Sequence, residues 1–168
     1  MKIETKTVII AGFPGVGKTH FYNHHMKDCA DSDSSKFSWT IRKGMRVRNP
    51  AFPKNYISHI KSLIGKVKYI FVSSHKEVRD ALKKSGLKFA LVIPNINIKD
   101  EYIERFRNRG SSDKFIKQIS DNWMLWLTQI DSEFEGDRKK FKYIIYKLDS
   151  VENLEDVVKD SSLFSIEN

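Results

Sequence analysis

Short apolar runs alternate with longer stretches of helical spacing along most of the chain. Five runs predict buried strands, at 6–11, 28–31, 69–72, 89–93 and 143–148. Six stretches predict helices, at 18–26, 54–64, 77–84, 99–108, 113–130 and 151–158. The residues after the last helix are expected to fray. Strands that alternate with helices predict an α/β fold with a central parallel sheet.

The length of 168 residues predicts a single domain over 1–168. Right-handed crossovers would place helices on both faces of the five-stranded sheet, which makes a three-layer sandwich. Ligands bind such sheets beyond the carboxyl ends of the strands. The segments that follow the first four strands are therefore expected to carry the function.

Composition narrows the setting of the protein. Hydrophobic residues make up 40% and charged residues 30% of the chain, which is typical of globular proteins. No apolar run reaches the roughly 18 residues that a membrane span requires, and we expect no signal peptide at the N-terminus. Cys29 is the only cysteine, so no internal disulfide can form, which favours the reducing cytoplasm. The sequence leaves the oligomeric state open.

The net charge of +9 favours polyanionic partners. Nucleotides, nucleic acid and phosphorylated metabolites all fit this charge. A basic surface with no such partner fits it equally well.

One motif follows the first predicted strand and opens the first predicted helix. It consists of Gly12, Phe13, Pro14, Gly15, Val16, Gly17, Lys18 and Thr19. The pattern Gly-x-x-x-x-Gly-Lys-Thr in this context predicts a phosphate-binding loop, whose backbone N–H groups and helix N-terminus surround an anion. Lys18 is then expected to reach the β- and γ-phosphates, and the Thr19 hydroxyl to bind Mg²⁺.

Other motifs decide which kind of phosphate-loop protein this is. The chain lacks the Asn-Lys-x-Asp guanine motif of GTPases. The third strand ends at Ser73 and Ser74 rather than at the carboxylate that is usual in motor ATPases. The remaining class is a small kinase that uses ATP and Mg²⁺.

Asp31 and Asp33 follow the second predicted strand. Two carboxylates beside a phosphate loop fit two roles, in which one holds Mg²⁺ and the other orients or deprotonates an acceptor hydroxyl. We assign the metal to Asp31 and acceptor contact to Asp33, although the sequence permits the reverse. A solvated polar turn is the alternative.

Arg105 and Arg109 share one face of a predicted helix after the fourth strand, whereas Arg107 does not. We expect the segment 99–112 to act as a lid from which these two arginines stabilise the transferred phosphoryl group. A basic helix end that complements the helix dipole is the alternative.

The segment 36–66 lies where small kinases bind their acceptor. Arg46 and Arg48 are candidates for holding an acceptor phosphate, and Trp39 or Tyr56 for stacking on a base. His75 is a further candidate for acceptor contact, with capping of the next helix as its alternative. Phe37, Trp39 and Phe52 fit a core role equally well.

The phosphate loop resembles that of the nucleoside monophosphate kinase branch of the P-loop kinases. The arginines at 105, 107 and 109 resemble its lid, and 148–157 resembles its last strand, adenine-side loop and final helix. The segments 31–35, 49–57 and 73–75 look like those of small phage-encoded proteins that are often described as adenylate-kinase-like. The resemblance implies a P-loop fold and transfer of the γ-phosphoryl group from Mg-ATP to a nucleoside or deoxynucleoside monophosphate.

Two features depart from that branch. Its usual Asp-Gly-x-Pro-Arg after the third strand is replaced here by Ser-Ser-His-Lys-Glu at 73–77. The Asp-x-Asp at 31–33 is closer to shikimate-type and polynucleotide 5′-hydroxyl kinases. A polynucleotide or other hydroxyl kinase is therefore one alternative function, and a non-catalytic nucleotide-binding regulator is another.

Overall fold

A computed structural model describes residues 5–168. The strands are β1 (Val8–Gly12), β2 (Cys29–Asp31), β3 (Trp39–Arg42), β4 (Met45–Arg48), β5 (Tyr69–Ser73), β6 (Phe89–Pro94) and β7 (Tyr143–Leu148). The helices are α1 (Lys18–His24), α2 (Ser35–Ser38), α3 (Lys54–Leu63), α4 (Lys76–Lys84), α5 (Lys99–Asn108), α6 (Asp113–Asp137) and α7 (Leu154–Val157). Short 3-10 turns lie at Ile96–Ile98 and Ser161–Ile166.

Five strands form one all-parallel sheet in the order β2-β5-β1-β6-β7, flanked by helices. The predicted α/β class and the five predicted strands are confirmed, with strand ends that differ by one or two residues. Every residue of β1 and of β6 is buried. Because alternate residues of a strand point to opposite faces, both sides of these strands are covered, which explains their continuous apolar runs.

A two-stranded antiparallel hairpin, β3 and β4, is an addition to the predicted fold. It lies in the segment 36–66, outside the main sheet, and most of its residues are exposed. Its turn places Lys43 and Gly44 at positive φ. Thr40, Arg42, Arg46 and Arg48 alternate with apolar residues along the two strands. This alternation is typical of a strand with one covered face, and a prediction from continuous apolar runs misses it.

Helix α6 extends to Asp137, beyond the predicted end at residue 130. Its last two turns carry ion pairs with α4: Arg79 Nη2 lies 2.8 Å from Glu133 Oε1, and Lys83 Nζ lies 2.8 Å from Asp137 Oδ2. Arg79 is buried, so its pair with Glu133 holds the two helices together at a desolvated contact. Tertiary contacts therefore continue the helix past the end of its apolar pattern.

The C-terminal residues are ordered against the core, so the predicted fraying is wrong. Leu163 and Ile166 are buried. The Asn168 N–H donates to the Thr7 carbonyl over 2.9 Å, and the Asn168 amide nitrogen donates to the Lys88 carbonyl over 2.8 Å. The last helix begins only at Leu154, because Asn153 caps it with a reciprocal capping box to Asp156.

The sheet brings the carboxyl ends of its strands to one edge. The phosphate-loop motif follows β1, Asp31 ends β2, and Ser73 ends β5. Within residues 5–168, no helix is long and apolar enough to cross a membrane.

Candidate functional site

A cavity of about 1000 Å³ lies at the carboxyl ends of β1, β2 and β5. The loop between β1 and α1 forms one end of it. The segment after β2, the hairpin and the segment after β5 form the other end, and α5 closes one side. The cavity therefore lies where parallel sheets ordinarily bind their ligands.

The loop after β1 has a specific shape that depends on its glycines. The Phe13 N–H donates to the Val92 carbonyl over 2.8 Å, which ties the loop to β6. Gly15 and Gly17 adopt φ values of +87° and +103°, which side chains with a Cβ rarely adopt. A Cβ on Gly12 would lie 2.9 Å from Val16 Cγ2 and 3.0 Å from Lys18 Cδ, so the close approach also requires glycine there.

Several N–H groups of this loop have no acceptor. Among residues 5–168, no hydrogen bond pairs with the N–H groups of Gly15, Gly17, Lys18 or Thr19. They stand at the N-terminus of α1, where the helix dipole adds positive potential. Unpaired donors around a concavity are the arrangement that binds a phosphate group.

Lys18 folds back over its own loop. Its Nζ donates to the carbonyl of Gly12 over 2.6 Å and to that of Phe13 over 3.3 Å. Burial lowers its pKa from 10.5 to about 8, and the nearby Asp31 carboxylate partly opposes that shift. A bound anion would supply the opposite charge that the buried ammonium lacks.

The two carboxylates predicted after the second strand are both in the cavity. Burial raises the pKa of Asp31, which attraction by Lys18 opposes and repulsion from Asp33 reinforces. Asp33 is exposed, and its oxygens accept hydrogen bonds from the Ser35 N–H at 2.8 Å and the Ser35 hydroxyl at 2.7 Å. Ser35 thus orients Asp33, a role that we did not predict but that the turn pattern Asp-x-Ser could have indicated.

Tyr56 does not reach the cavity, which corrects its predicted role in base stacking. Its side chain is fully buried, and its hydroxyl donates to the Ser32 carbonyl over 2.6 Å. The Ser32 hydroxyl in turn contacts His59 Nε2 at 2.7 Å. Helix α3 therefore fixes the backbone between the two aspartates and leaves no face of Tyr56 open to a ligand.

Arg105 and Arg109 both line the cavity from α5, as helical spacing predicts. Arg105 Nη1 donates to the Gly15 carbonyl over 3.2 Å, and its guanidinium lies 4.5 Å from the centre of the Tyr102 ring. Arg109 lies 4.7 Å from the centre of the Phe106 ring. Arg107 points elsewhere and pairs with Glu104 at 3.5 Å.

The segment predicted as a lid is a packed helix. Tyr102 and Phe106 of α5 are fully buried, and both rings lie next to Gly15. A Cβ built on Gly15 would lie 3.1 Å from each of them. The arginines of α5 are therefore already beside the phosphate loop.

Trp39, Arg48 and His75 line the opposite end of the cavity, where acceptor contact was predicted. Arg48 forms an ion pair with Glu77, a residue that the sequence analysis did not single out. No local pattern joins these two residues, which are 29 positions apart. Arg46 does not line the cavity and instead lies 4.9 Å above the Trp39 ring.

His75 follows β5 at the mouth of the cavity. Desolvation there lowers the pKa of its ring, and repulsion from Lys18, Arg79 and Arg48 lowers it further. One ring nitrogen is hydrogen-bonded to the Ser73 hydroxyl. The electrostatics thus favour a neutral imidazole facing the cavity.

Two predicted metal ligands, Thr19 and Asp31, line the same cavity. Among residues 5–168, no group of three or more His, Cys, Asp or Glu side chains is arranged to hold a metal ion. Mg²⁺ characteristically takes one or two protein ligands and completes its shell with water and substrate phosphates. Thr19 and Asp31 fit that kind of site beside the unpaired N–H groups of the loop.

The C-terminal segment also approaches the phosphate loop. A Cβ on Gly17 would lie 3.7 Å from the Cβ of Asn153, which precedes α7. The segment between β7 and α7, residues 149–153, is therefore next to the loop that carries Lys18.

No protein-family model matches this chain. The curated proteins likewise yield no match. The site must therefore be interpreted from its own residues.

Proposed function

We propose that this protein is a phosphotransferase of the P-loop kinase class that takes the γ-phosphoryl group of ATP. The observation that carries the proposal is the meeting of three parts in one cavity. These parts are a loop with unpaired N–H groups and Lys18, a pair of carboxylates, and two arginines on one helix face. The all-parallel sheet flanked by helices is compatible with the three-layer fold of P-loop proteins.

The phosphate end of the cavity would bind ATP. The N–H groups of Gly15, Gly17, Lys18 and Thr19 and the Lys18 ammonium would hold the phosphates, with the adenine toward 149–153. Thr19 and Asp31 would hold Mg²⁺, which, when bound, draws charge away from the phosphate oxygens. Arg105 and Arg109 would neutralise charge that develops during transfer, and they need little movement to do so.

A nucleoside or deoxynucleoside monophosphate is the first acceptor that we propose. The volume of about 1000 Å³ is at the upper end of small-molecule sites and leaves room beyond the triphosphate for a second ligand. Trp39 offers an exposed ring for a base at that end. An acceptor phosphate is already ionised, so its attack on the γ-phosphorus needs no strong base.

A hydroxyl acceptor is the second candidate. The positions and surroundings of Asp31 and Asp33 favour it. Ser35 holds the exposed Asp33 carboxylate in place in the cavity, and burial raises the pKa of Asp31. In this reaction the acceptor oxygen bonds to the γ-phosphorus, the bond from that phosphorus to the bridging oxygen of ADP breaks, and Asp33 accepts the hydroxyl proton. Catalysis then adds base assistance to positioning and charge neutralisation.

A screen of phosphoryl transfer with Mg-ATP tests the proposal. The acceptors are each ribo- and deoxynucleoside monophosphate, a 5′-hydroxyl oligonucleotide and several sugar alcohols, and products are separated by ion-exchange chromatography. Loss of the Lys18 ammonium removes charge stabilisation, so Lys18→Ala should lower turnover by about two to three orders of magnitude. Lys6→Ala, an exposed lysine outside the cavity that pairs with Glu167, is the matched control.

Each result of the screen has a defined meaning. Lys18-dependent conversion of a monophosphate to its diphosphate supports the first acceptor, and labelling only of hydroxyl compounds supports the second. No turnover with any acceptor, while ATP still binds, contradicts the kinase proposal and favours a nucleotide-binding regulator. If the unmodified protein does not bind ATP, both the kinase proposal and the nucleotide-binding regulator are contradicted.

A further inference from the structure

The positive charge of the chain is concentrated in one stretch. Ten of the 30 Lys and Arg residues and none of the 21 Asp and Glu residues lie between 34 and 76. The rest of the chain carries 20 basic and 21 acidic residues and is close to neutral. The net charge of +9 is therefore a property of this stretch and not of the whole surface.

The hairpin of β3 and β4, residues 39–48, is the most exposed part of that stretch, and we call it the ribbon. Opposite residues of an antiparallel pair share a face, and the register pairs Trp39 with Arg48 and Ile41 with Arg46. One face of the ribbon therefore presents two large apolar side chains and two guanidinium groups. Trp39 is 41% exposed and Ile41 is 66% exposed, so part of each side chain is open to a ligand.

The guanidinium groups lie against the indole of Trp39. Arg46 is 4.9 Å and Arg48 is 5.6 Å from the ring centre. Arg48 pairs with Glu77, whereas Arg42, Lys43 and Arg46 have no ion-pair partner within residues 5–168. Both arginines lie over the ring and hold it in place. Arg46 on this face and Lys43 at the hairpin turn keep their charge available for a ligand, whereas Arg42 lies on the opposite face.

The face is continuous with the cavity, because Trp39 and Arg48 belong to both. A ligand that extends along the ribbon would thus have one end beside Asp33 and the phosphate loop. A mononucleotide in the cavity makes no use of Ile41, Arg46 or the tip of the hairpin. The surface fits a longer polyanion that has flat, stackable groups.

We propose that the ribbon binds a single-stranded polynucleotide. Its bases would stack on Trp39 and its phosphates would contact Arg46 and Lys43. A single strand fits better than a duplex, since paired bases are stacked on one another and leave no face for an indole. Entry of the strand's end into the cavity as a hydroxyl acceptor rests on the proposed function, whereas binding to the ribbon does not.

Fluorescence anisotropy with a 3′-fluorescein oligothymidylate tests the proposal in the absence of ATP. The full chain should bind it with an affinity that falls linearly with salt on logarithmic axes. Trp39→Ala should weaken binding about tenfold, and Trp39→Phe should restore most of it, because stacking requires a ring. Arg46→Ala should reduce the salt slope by about 0.7, the value for one phosphate contact on a single strand.

Two matched variants distinguish binding by the ribbon from non-specific electrostatic and hydrophobic binding. Lys139→Ala removes one exposed cation between α6 and β7, and Phe164→Ala removes an aromatic ring that is 48% exposed. Neither should change the affinity or the slope. Thermal unfolding of each variant confirms that the fold is intact.

Three results would overturn the proposal. They are no oligonucleotide binding at low salt, equal loss in the ribbon and control variants, and ribbon-dependent binding to phosphatidylserine vesicles without binding to the oligonucleotide. The assay involves no turnover, so a failed kinase screen leaves its outcome unaffected. Binding without turnover would thus reject the proposed function and keep the ribbon's role.

Discussion

The two ends of the cavity are built in different ways. We name them the phosphate end and the acceptor end after the proposed function. The phosphate end is one continuous segment, 12–19, which is shaped by glycines and presents unpaired backbone N–H groups. The acceptor end is assembled from side chains that are distant in sequence, such as Arg48 with Glu77 and Ser32 with His59, which are 29 and 27 positions apart. A local motif therefore reveals the first end and almost nothing of the second.

Charge divides the two ends in a similar way. The phosphate end holds one buried cation, Lys18, whose charge is disfavoured until an anion binds. The acceptor end includes Arg48 and adjoins the other exposed cations of the ribbon, which solvent stabilises before any ligand arrives. Binding at the first end should thus depend on close fit, and binding at the second should depend on salt. Variants at each end can test this division.

Asp33→Ala should give the largest effect, a loss of turnover, and should leave ATP binding at the phosphate end almost unchanged. If the acceptor is a hydroxyl, turnover should fall by about 10² to 10⁴-fold, because general-base assistance is lost. The affinity for ATP should stay within about twofold, since the phosphates contact 12–19. Steady-state kinetics and calorimetric titration of ATP measure the two quantities.

Asp28→Ala, an exposed aspartate before β2, is the matched control for that experiment. It should alter neither quantity. A fall in ATP affinity as large as the fall in turnover would contradict the division, because Asp33 would then belong to the phosphate end.

Gly15→Ala should destabilise the phosphate end strongly. The φ of +87° strains any side chain, and the new Cβ would also meet Phe106 and Tyr102 at 3.1 Å. We expect a loss of about 2 to 3 kcal/mol in the free energy of unfolding. Gly110→Ala, with a φ of +78° and open space around it, should lose only about 1 kcal/mol. Equal losses in urea unfolding would mean that the packing of α5 against the loop contributes nothing.

Tyr56→Phe should lower stability and impair acceptor binding, although Tyr56 does not line the cavity. It removes the buried hydrogen bond to the Ser32 carbonyl, which should lower the free energy of unfolding by about 1 to 2 kcal/mol. The KM for the acceptor should rise more than that for ATP, because Ser32 lies between the two aspartates. Tyr146→Phe, whose hydroxyl pairs with Ser162 at the surface, should change stability by less than about 0.5 kcal/mol. If Tyr56→Phe and Tyr146→Phe changed stability and the acceptor KM equally, the positioning role of Tyr56 would be contradicted.

Lys18→Met should give the smallest change in the free energy of unfolding, and the size of that change depends on pH. The pKa of Lys18 is about 8 in the folded state and 10.5 otherwise, so the burial penalty is complete below pH 8 and vanishes above 10.5. At pH 7 the variant should be more stable by an amount on the order of 1 kcal/mol. The difference should disappear by about pH 10.5 in urea unfolding. A less stable variant at pH 7 would mean that the bonds to the Gly12 and Phe13 carbonyls outweigh the burial of the charge.

Part of the fold and of the site could be predicted because neighbouring residues encode it. The continuous apolar runs predicted the parallel strands, since a strand covered on both sides needs no polar alternation. Glycines at 12, 15 and 17 followed by Lys18 predicted a tight glycine-shaped loop between β1 and α1, since backbone geometry depends on consecutive residues. Helical spacing likewise placed Arg105 and Arg109 on one face and Arg107 on another.

The sequence by itself determined the backbone of this protein's site: a parallel sheet, a glycine-shaped loop after its first strand and two aspartates after its second. Only the tertiary structure decided which side chains meet there. It buried Tyr56 behind Ser32, joined Arg48 to Glu77, set the ribbon beside the cavity and ordered the C-terminus against Thr7 and Lys88. The physical reason is range: a turn is fixed by the dihedral angles of a few consecutive residues, whereas a contact between distant side chains exists only once the whole chain has closed around its core.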